Sequence, residues 1–319
     1  MKKLSILLFF SLLATVAVAQ QKALYSQYMS NYYLLNPAVA GYSKNLNFKM
    51  GYRNQWVGFE GAPSTIYLSG EGALFQNSRS RKRRGRGTQA FHGAGGHLYK
   101  DATGPTSRTG IMASYAYHVP LSNTVFLSSG LSAGVQQYLF DENKIHLADN
   151  SNDLDPVTSG GSQRVFKPDL NVGTYLHASE FYVGVSLFQA LGNKLFKFDD
   201  TAVPSRLAQH WFISGGYNLA VDKNFTLAPS VLLKYVNPAP LQADINLKGI
   251  YTFNNRRKTE YDDQFWAGVS YRTKDAVVAL MGLQFMEQYQ FSYSYDITVS
   301  PIRHYSSGSH EIMFGFRVK

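Results

Sequence analysis

The chain of 319 residues contains no cysteine. Disulfide frameworks, thiolate metal ligands and thiol nucleophiles are therefore excluded. Charge is sparse, at 16% of residues, against about 25% in an ordinary soluble domain. Long apolar runs are missing as well: beyond residue 19 no stretch is long and apolar enough to cross a bilayer as a helix. Helical spacing of apolar residues is nowhere sustained. Signals for chemistry are equally scarce. No His-Glu-x-x-His occurs and the eight histidines are scattered. His92 and His97 fall on opposite faces of a strand and cannot share an ion. Residues 93–96, Gly-Ala-Gly-Gly, lack the strand-to-helix setting of a phosphate loop and read more simply as places where a strand bends. A Ser-His-Asp arrangement has no nucleophile elbow to mark it. No catalytic residue, no metal and no cofactor is expected.

Aromatic residues, glycine and alternation are what the sequence has in quantity. It holds 22 Tyr, 21 Phe and 27 Gly, the girdle and small residues that a membrane barrel uses. Apolar Leu46, Phe48, Met50 and Tyr52 alternate with Asn47, Lys49, Gly51 and Arg53. Leu127, Leu131 and Val135 alternate with Ser128, Ser132 and Gln136, and Tyr289, Phe291, Tyr293 and Tyr295 with Gln290, Ser292 and Ser294. Period two is the signature of a strand with one apolar and one polar face. Fourteen strands are predicted, centred near Met50, Leu68, Gly95, Ser114, Leu131, Val172, Val185, Ser214, Val231, Leu247, Val269, Leu280, Tyr293 and Phe314. The third is the weakest, since Gly93, Gly95 and Gly96 blur its pattern. A soluble β-sandwich also alternates, but it would carry Lys and Glu on its outer face; here the polar face is small and weakly charged while aromatics sit near strand ends. The predicted fold is all-β, a transmembrane antiparallel β-barrel.

The ends and connections complete the plan. Met1-Lys2-Lys3, apolar residues 4–18 and the small residues of Ala17-Val18-Ala19 form a secretory signal, which predicts a mature start at Gln20 and residence in a Gram-negative outer membrane. Residues 20–45 are too irregular for a strand, are rich in Tyr and polar groups, and carry a helix stop at Asn36-Pro37. They are predicted to form a plug in the lumen or at its periplasmic mouth, with Tyr25, Gln27, Tyr28, Asn36, Pro37 and Gly41 as its residues; the alternative is a disordered leader. The barrel follows over residues 46–319. Long connections at 141–165, 189–207 and 300–309 are expected outside and short turns inside, with 76–89 and 254–263 as longer inner exceptions.

Net charge is +10, falling by two to +8 when Lys2 and Lys3 leave with the signal. Much of the excess is one run, Arg79, Arg81, Lys82, Arg83, Arg84 and Arg86. In an exported barrel a nucleic-acid partner is a poor reading of it. Either Arg81, Lys82, Arg83, Arg84 and Arg86 dock an acidic periplasmic partner or anionic headgroups, or the turn is merely solvated. The cluster Asp141, Glu142, Asp149, Asp153 and Asp155 lacks EF-hand spacing and reads as a surface loop.

Three segments resemble the PorP/SprF family of type IX secretion membrane proteins. The first is Tyr25-Ser26-Gln27-Tyr28-Met29 with Asn36-Pro37-Ala38 and Ala40-Gly41. The second is Tyr52-Arg53-Asn54-Gln55-Trp56 with Gly58-Phe59 and Gly61-Ala62-Pro63-Ser64-Thr65. The third is Gly308-Ser309-His310-Glu311-Ile312-Met313. One departure is the final Phe316-Arg317-Val318-Lys319, where outer-membrane barrels often end on an aromatic residue. The resemblance implies an accessory barrel of the type IX system in Bacteroidota. Such proteins are tied to export of surface proteins or adhesins and to gliding motility, and some contact periplasmic components of the machine. Arg53, Gln55, Trp56, Phe59 and Pro63 then become candidates for contact with an exported partner at the outer rim; the plainer reading is a girdle tryptophan and a glycine turn. Two other functions compete: a passive solute or lipid transporter of the same architecture, and a membrane-embedded hydrolase or acyltransferase, for which the sequence offers no constellation.

Overall fold

A computed structural model describes residues 25–74, 89–141, 144, 162–193, 207–253 and 263–318. Alternation in sequence becomes alternation of faces, because a strand sends successive side chains to opposite sides. The strands are β1 Leu46–Asn54, β2 Ser64–Leu74, β3 Phe91–Thr103, β4 Thr106–Pro120, β5 Phe126–Phe140, β6 Gln163–His177 and β7 Phe181–Phe188. Next come β8 His210–Tyr217, resumed at Leu219–Ala220, then β9 Phe225–Val236, β10 Gln242–Phe253, β11 Asp263–Arg272, β12 Ala276–Phe285, β13 Tyr289–Thr298 and β14 Ser309–Val318. Each of the fourteen predicted centres falls within one of them.

Every strand pairs antiparallel with its neighbours in the chain, and β1 closes the ring on β14, from Leu46 opposite Val318 to Asn54 opposite His310. Closure removes the free sheet edges, the condition for a sheet to cross hydrocarbon. Burial is inverted relative to a soluble protein. Met50 is 50% exposed on the outer face of β1, as are its apolar neighbours Phe48 and Tyr52, whereas Asn47 and Arg53 are buried inside. On β5, Leu127, Leu131 and Val135 face out, and Ser128, Ser132 and Gln136 face in.

The longest connections, 141–162 and 189–209, lie at one end; the turns at 121–125, 178–180, 221–224 and 286–288 lie at the other. The long-loop end is the outer end of such a barrel and the short-turn end the inner, periplasmic one. The wall is uneven. Strands β4 to β6 have 15 residues each and β7 and β8 only 8, and β6 meets β7 only from Val172 to His177. The expected signal at 1–19, the basic residues Arg81, Lys82, Arg83, Arg84 and Arg86, the basic stretch Arg256-Arg257-Lys258, and the acidic loop apart from Asp141 lie outside the described residues.

Two glycines of β3 are places of close approach, which the sequence reading did not anticipate. A Cβ on Gly93 would overlap the carbonyl of Ala40, and one on Gly95 would meet the Tyr33 ring at 2.8 Å. Gly130 on β5 and Gly173 on β6 are flattened in the same way against Ala38 and Asn36. These positions are small because another stretch of the same chain lies against them.

Candidate functional site

That stretch is the segment before β1. It folds as three short 3-10 turns, Tyr28–Ser30, Tyr32–Leu34 and Pro37–Val39. Asn36 caps the third: its Oδ1 accepts from the Ala38 amide at 2.9 Å, and proline follows at the first position, where no donor is lost. Its Nδ2 donates to the carbonyl of Thr174 on β6 at 2.9 Å. The six residues singled out from sequence, Tyr25, Gln27, Tyr28, Asn36, Pro37 and Gly41, are all buried inside the barrel. Leu34, Leu35 and Tyr28 pack with Phe188, Phe212 and Leu232 from β7, β8 and β9; full burial of such a side chain contributes about 1.5–3 kcal/mol.

The path of the segment follows from its partners. Ser26 meets residues at the outer ends of β1, β11, β13 and β14. Further along, Asn31 Nδ2 donates to Ser69 Oγ on β2 at 3.0 Å and Tyr33 OH to Ser114 Oγ on β4 at 2.9 Å. The Tyr28 hydroxyl accepts from Asn246 of β10, and Ser186 of β7 donates to the Leu35 carbonyl. At the inner end the Gly41 amide donates to Glu71 Oε2 at 2.6 Å, and His118 Nε2 lies 2.8 Å from the Ala40 carbonyl. The segment thus crosses the lumen diagonally, from the β11–β14 wall outside to the β3–β7 wall inside, touching strands on several sides of the ring.

Its outer anchor is a buried ionic cluster. Arg53 is 1% exposed; its Nη2 lies 2.8 Å from Asp296 Oδ2 and its Nη1 3.3 Å from Glu311 Oε2. Arg272 Nη1 reaches Asp296 at 3.2 Å and Asp275 at 3.2 Å, and its Nε reaches Asp244 Oδ2 at 3.4 Å, which also holds Lys234 Nζ at 2.9 Å. Ser26 is the hub. Its hydroxyl donates to Asp296 Oδ2 at 2.7 Å and accepts from Arg53 Nη1 at 2.6 Å and Arg272 Nη2 at 3.0 Å. Its amide donates to Glu311 Oε2 at 2.7 Å, and Gln27 Nε2 donates to the Glu311 carbonyl at 2.8 Å. Three cations face four carboxylates, so the charges nearly balance, the condition for burying ions.

Arg53 therefore does not stand at the rim as a partner contact. It is an inward residue of β1, committed to the segment and to two carboxylates. The other rim candidates sit in the turn after β1. Gln55, Trp56 and Pro63 are half-buried and Phe59 is exposed. Trp56 takes a left-handed φ of 53°, and the turn is clamped to the β13–β14 connection by Val57 N to Gly308 O at 2.8 Å and Ser307 N to Val57 O at 2.7 Å. The acid–base cluster had no signal beyond single charges on the polar face of several strands.

Two further features bear on chemistry. Ser128 Oγ lies 2.6 Å from His118 Nδ1 and 3.3 Å from His177 Nε2. Ser128 and His118 are fully buried beneath Ala40, and the group is occupied in holding the inner end of the segment. Gly130-Leu131-Ser132-Ala133-Gly134 spells the Gly-x-Ser-x-Gly pattern, but it runs along the middle of β5 with no turn to lift Ser132 toward a substrate. Among the described residues no three His, Asp or Glu side chains are grouped to hold a metal. At the outer ends of β8 to β11 a cavity of about 520 Å³ is lined by Phe212, Lys234 and Val236 and by the exposed Trp211, Tyr235 and Leu241.

Comparison with known proteins bears on the family. Solved structures similar to this chain include the monoaromatic hydrocarbon channel CymD, 13% identical with 92% of each chain covered and a TM-score of 0.47. The toluene transporter TbuX of Ralstonia pickettii is 7% identical, covering 90% of this chain and 92% of its own, with a TM-score of 0.49. The toluene transporter TodX of Pseudomonas putida is 9% identical over 90% of this chain and 92% of its own, with a TM-score of 0.46. No curated protein matches the sequence. The model of the type IX secretion system membrane protein PorP/SprF matches residues 17–316. The three segments that carry the resemblance are far apart in sequence and meet in space, Ser26 and Gln27 from the first, Arg53 from the second, Ser309 and Glu311 from the third, and this outer-membrane β-barrel belongs to the PorP/SprF family of type IX secretion system membrane proteins.

Proposed function

We propose that this protein is an accessory component of the type IX secretion system that binds an exported surface protein, of adhesin or gliding type, and assists its export or its retention at the cell surface. It works as a closed barrel and performs no chemistry of its own. The observation that supports this reading is the N-terminal segment, which crosses the lumen from Ser26 to Gly41 and is hydrogen-bonded to strands on several sides of it. A barrel stoppered in this way acts through its two mouths. At the outer mouth, Gln55, Trp56, Phe59 and Pro63 offer a clamped, partly apolar turn to an exported partner. The basic run Arg81, Lys82, Arg83, Arg84 and Arg86, in the stretch of sequence between β2 and β3, offers charge to periplasmic components of the machine. Outer-membrane lipid covers the apolar wall.

A passive solute or lipid transporter is the competing reading, and the 520 Å³ outer cavity is the observation in its favour. Two experiments separate them. In a planar bilayer the closed barrel carries little current, whereas steady conductance would support the transporter. Native purification from outer membranes should bring down a large exported protein; a barrel recovered alone, in gentle detergent and at native expression, would defeat the secretion reading.

A further inference from the structure

The outward face of the wall carries almost no charge, and its exceptions are sorted by end. Among the charged residues of the fourteen strands, only Lys100 on β3, Arg164 on β6 and Asp263 on β11 share the outward parity of the apolar side chains. Asp263 begins β11 at the inner end and accepts from the Met286 amide at 2.7 Å. Lys100 and Arg164 stand near the outer ends of their strands. Both are exposed, and neither has an ion pair among the described residues.

Strand register gathers the two cations into one patch. Lys100 stands opposite Thr109 on β4, Thr109 opposite Gln137 on β5, and Gln137 opposite Phe166 on β6. One row further out, Ser107 stands opposite Leu139 and Leu139 opposite Arg164. Three strand spacings put Lys100 and Arg164 about 14 Å apart across the sheet, with the neutral donors of Ser107, Thr109 and Gln137 between them. The row on the inner side is apolar throughout, Leu98 beside Ile111, Ile111 beside Val135 and Val135 beside Pro168. The wall therefore passes from hydrocarbon surface to cations within two residues. A cation on the lipid face costs much at the midplane and little at the interface, so this step marks the outer interface.

We propose that this patch binds the phosphorylated headgroup of an outer-leaflet lipid, flanked by Lys100 and Arg164, with the acyl chains lying on Leu98, Ile111 and Val135. Guanidinium and ammonium groups donate charge-assisted hydrogen bonds to phosphate oxygens. No carboxylate shares the outward face of β3 to β6 to compete for them. The apolar row directly beneath the cations selects an amphipathic anion over a free one. The assignment rests on the reading that outer-membrane lipid covers the wall, and it is independent of the secretion role.

The whole barrel, purified in neutral detergent, is titrated with monophosphoryl lipid A, and the bound fraction is read by native mass spectrometry. Affinity should fall about tenfold for each of Lys100→Gln and Arg164→Gln, the size of one charge-assisted hydrogen bond, and should survive in Lys100→Arg. Equal affinity in the two Gln variants overturns the assignment. So does equal binding of lipid A stripped of its phosphate, a result that leaves the lipid-covered wall intact and removes only the phosphate site. If inorganic phosphate or a hexa-aspartate peptide displaces the lipid at matching concentration, the site is one for free anions or acidic polypeptide and the lipid occupant is refuted. Should a variant fail to assemble, acetylation of Lys100 in the unaltered protein decides: the phosphorylated lipid protects it more than the stripped one if the assignment is right, and equally if it is wrong. A chain that stays in solution without detergent would remove the lipid-covered wall itself.

Discussion

Replacing Arg53 with Met tests whether the segment is held by the ionic cluster. The substitution keeps the aliphatic stem and deletes a guanidinium that contacts Asp296 at 2.8 Å, Glu311 at 3.3 Å and the Ser26 hydroxyl at 2.6 Å. Removing one partner of a buried pair costs about 3–5 kcal/mol, because the other charge stays buried. Here the survivors are partly cared for: Asp296 keeps Arg272 at 3.2 Å, and Glu311 keeps the Ser26 amide at 2.7 Å. The low end applies, about 3 kcal/mol. The barrel wall is stitched by its ladders and does not depend on Arg53, so the loss falls on the docking of the segment. At 1.4 kcal/mol per factor of ten, about 3 kcal/mol raises the undocked population about a hundredfold. Hydrogen exchange read by mass spectrometry measures this directly. Peptides covering residues 26–41 should exchange about a hundredfold faster, while peptides from β4 and β5 keep their protection. Chymotrypsin gives a second readout, since residues 25–41 contain Tyr and Leu but no Lys or Arg. Unchanged protection of 26–41 in a properly assembled Arg53→Met barrel would refute the argument that this cluster anchors the segment.

Other substitutions probe the remaining links. Gly130→Leu places a side chain where Ala38 lies and should displace the segment without unfolding the wall, read as new conductance in a planar bilayer with heat-modifiable migration on gels retained. Asn36→Ala removes the cap on Ala38 and the bond to Thr174 and should destabilise the docked segment by about 1–2 kcal/mol, seen as faster exchange confined to residues 34–41. Leu131→Arg sets a charge on the lipid face at mid-strand and should cost about 2–4 kcal/mol of barrel stability in a lipid-based unfolding titration; no loss would contradict the assigned face.

How legible the molecule is from its sequence depends on whether a feature is periodic or relational. Strand number and facing are periodic. Leu46, Phe48, Met50 and Tyr52 announce their face at every second residue, and a slip of one would put all of them into the lumen. The order of the ring needs nothing more than chain neighbours pairing and closing. What fills the lumen is relational. Gly93, Gly95, Gly130 and Gly173 look like flexible or bend-making residues along the chain, and only their common contact with residues 33–40 shows that they are a bed for the segment. Small residues on the polar face of neighbouring strands were the available signal. Arg53 failed for the same reason. Its position before Gln55-Trp56 suggested the rim, yet its parity with Asn47, Lys49 and Gly51 already assigned it to the lumen, and parity outweighs nearness to a turn.

The same parity argument explains why the two halves of the lumen differ. An inward charge at membrane depth persists only with a partner or with access to water. At the outer end, Asp296, Glu311, Asp244 and Asp275 supply partners from four different stretches of chain, and Ser26 ties them to the segment. That arrangement nearly balances its charges, although Arg53 Nε, Asp244 Oδ1 and Asp296 Oδ1 are buried without a hydrogen-bond partner. At the inner end Lys49, Lys248 and Arg317 share the same parity on their strands; they contact a carbonyl, a ring and an amide, and the Glu71 carboxylate stands near Lys49 and Arg317. Loosening the segment should therefore act differently at the two mouths. Outside, it breaks a closed network, and Arg53→Met lowers stability. Inside, it frees Lys49 from the Ser30 carbonyl, so Lys49 should be acetylated faster in this variant than in the unaltered barrel. An unchanged rate of Lys49 acetylation in Arg53→Met would show that the ionic anchor and the Ser30 contact are not mechanically linked.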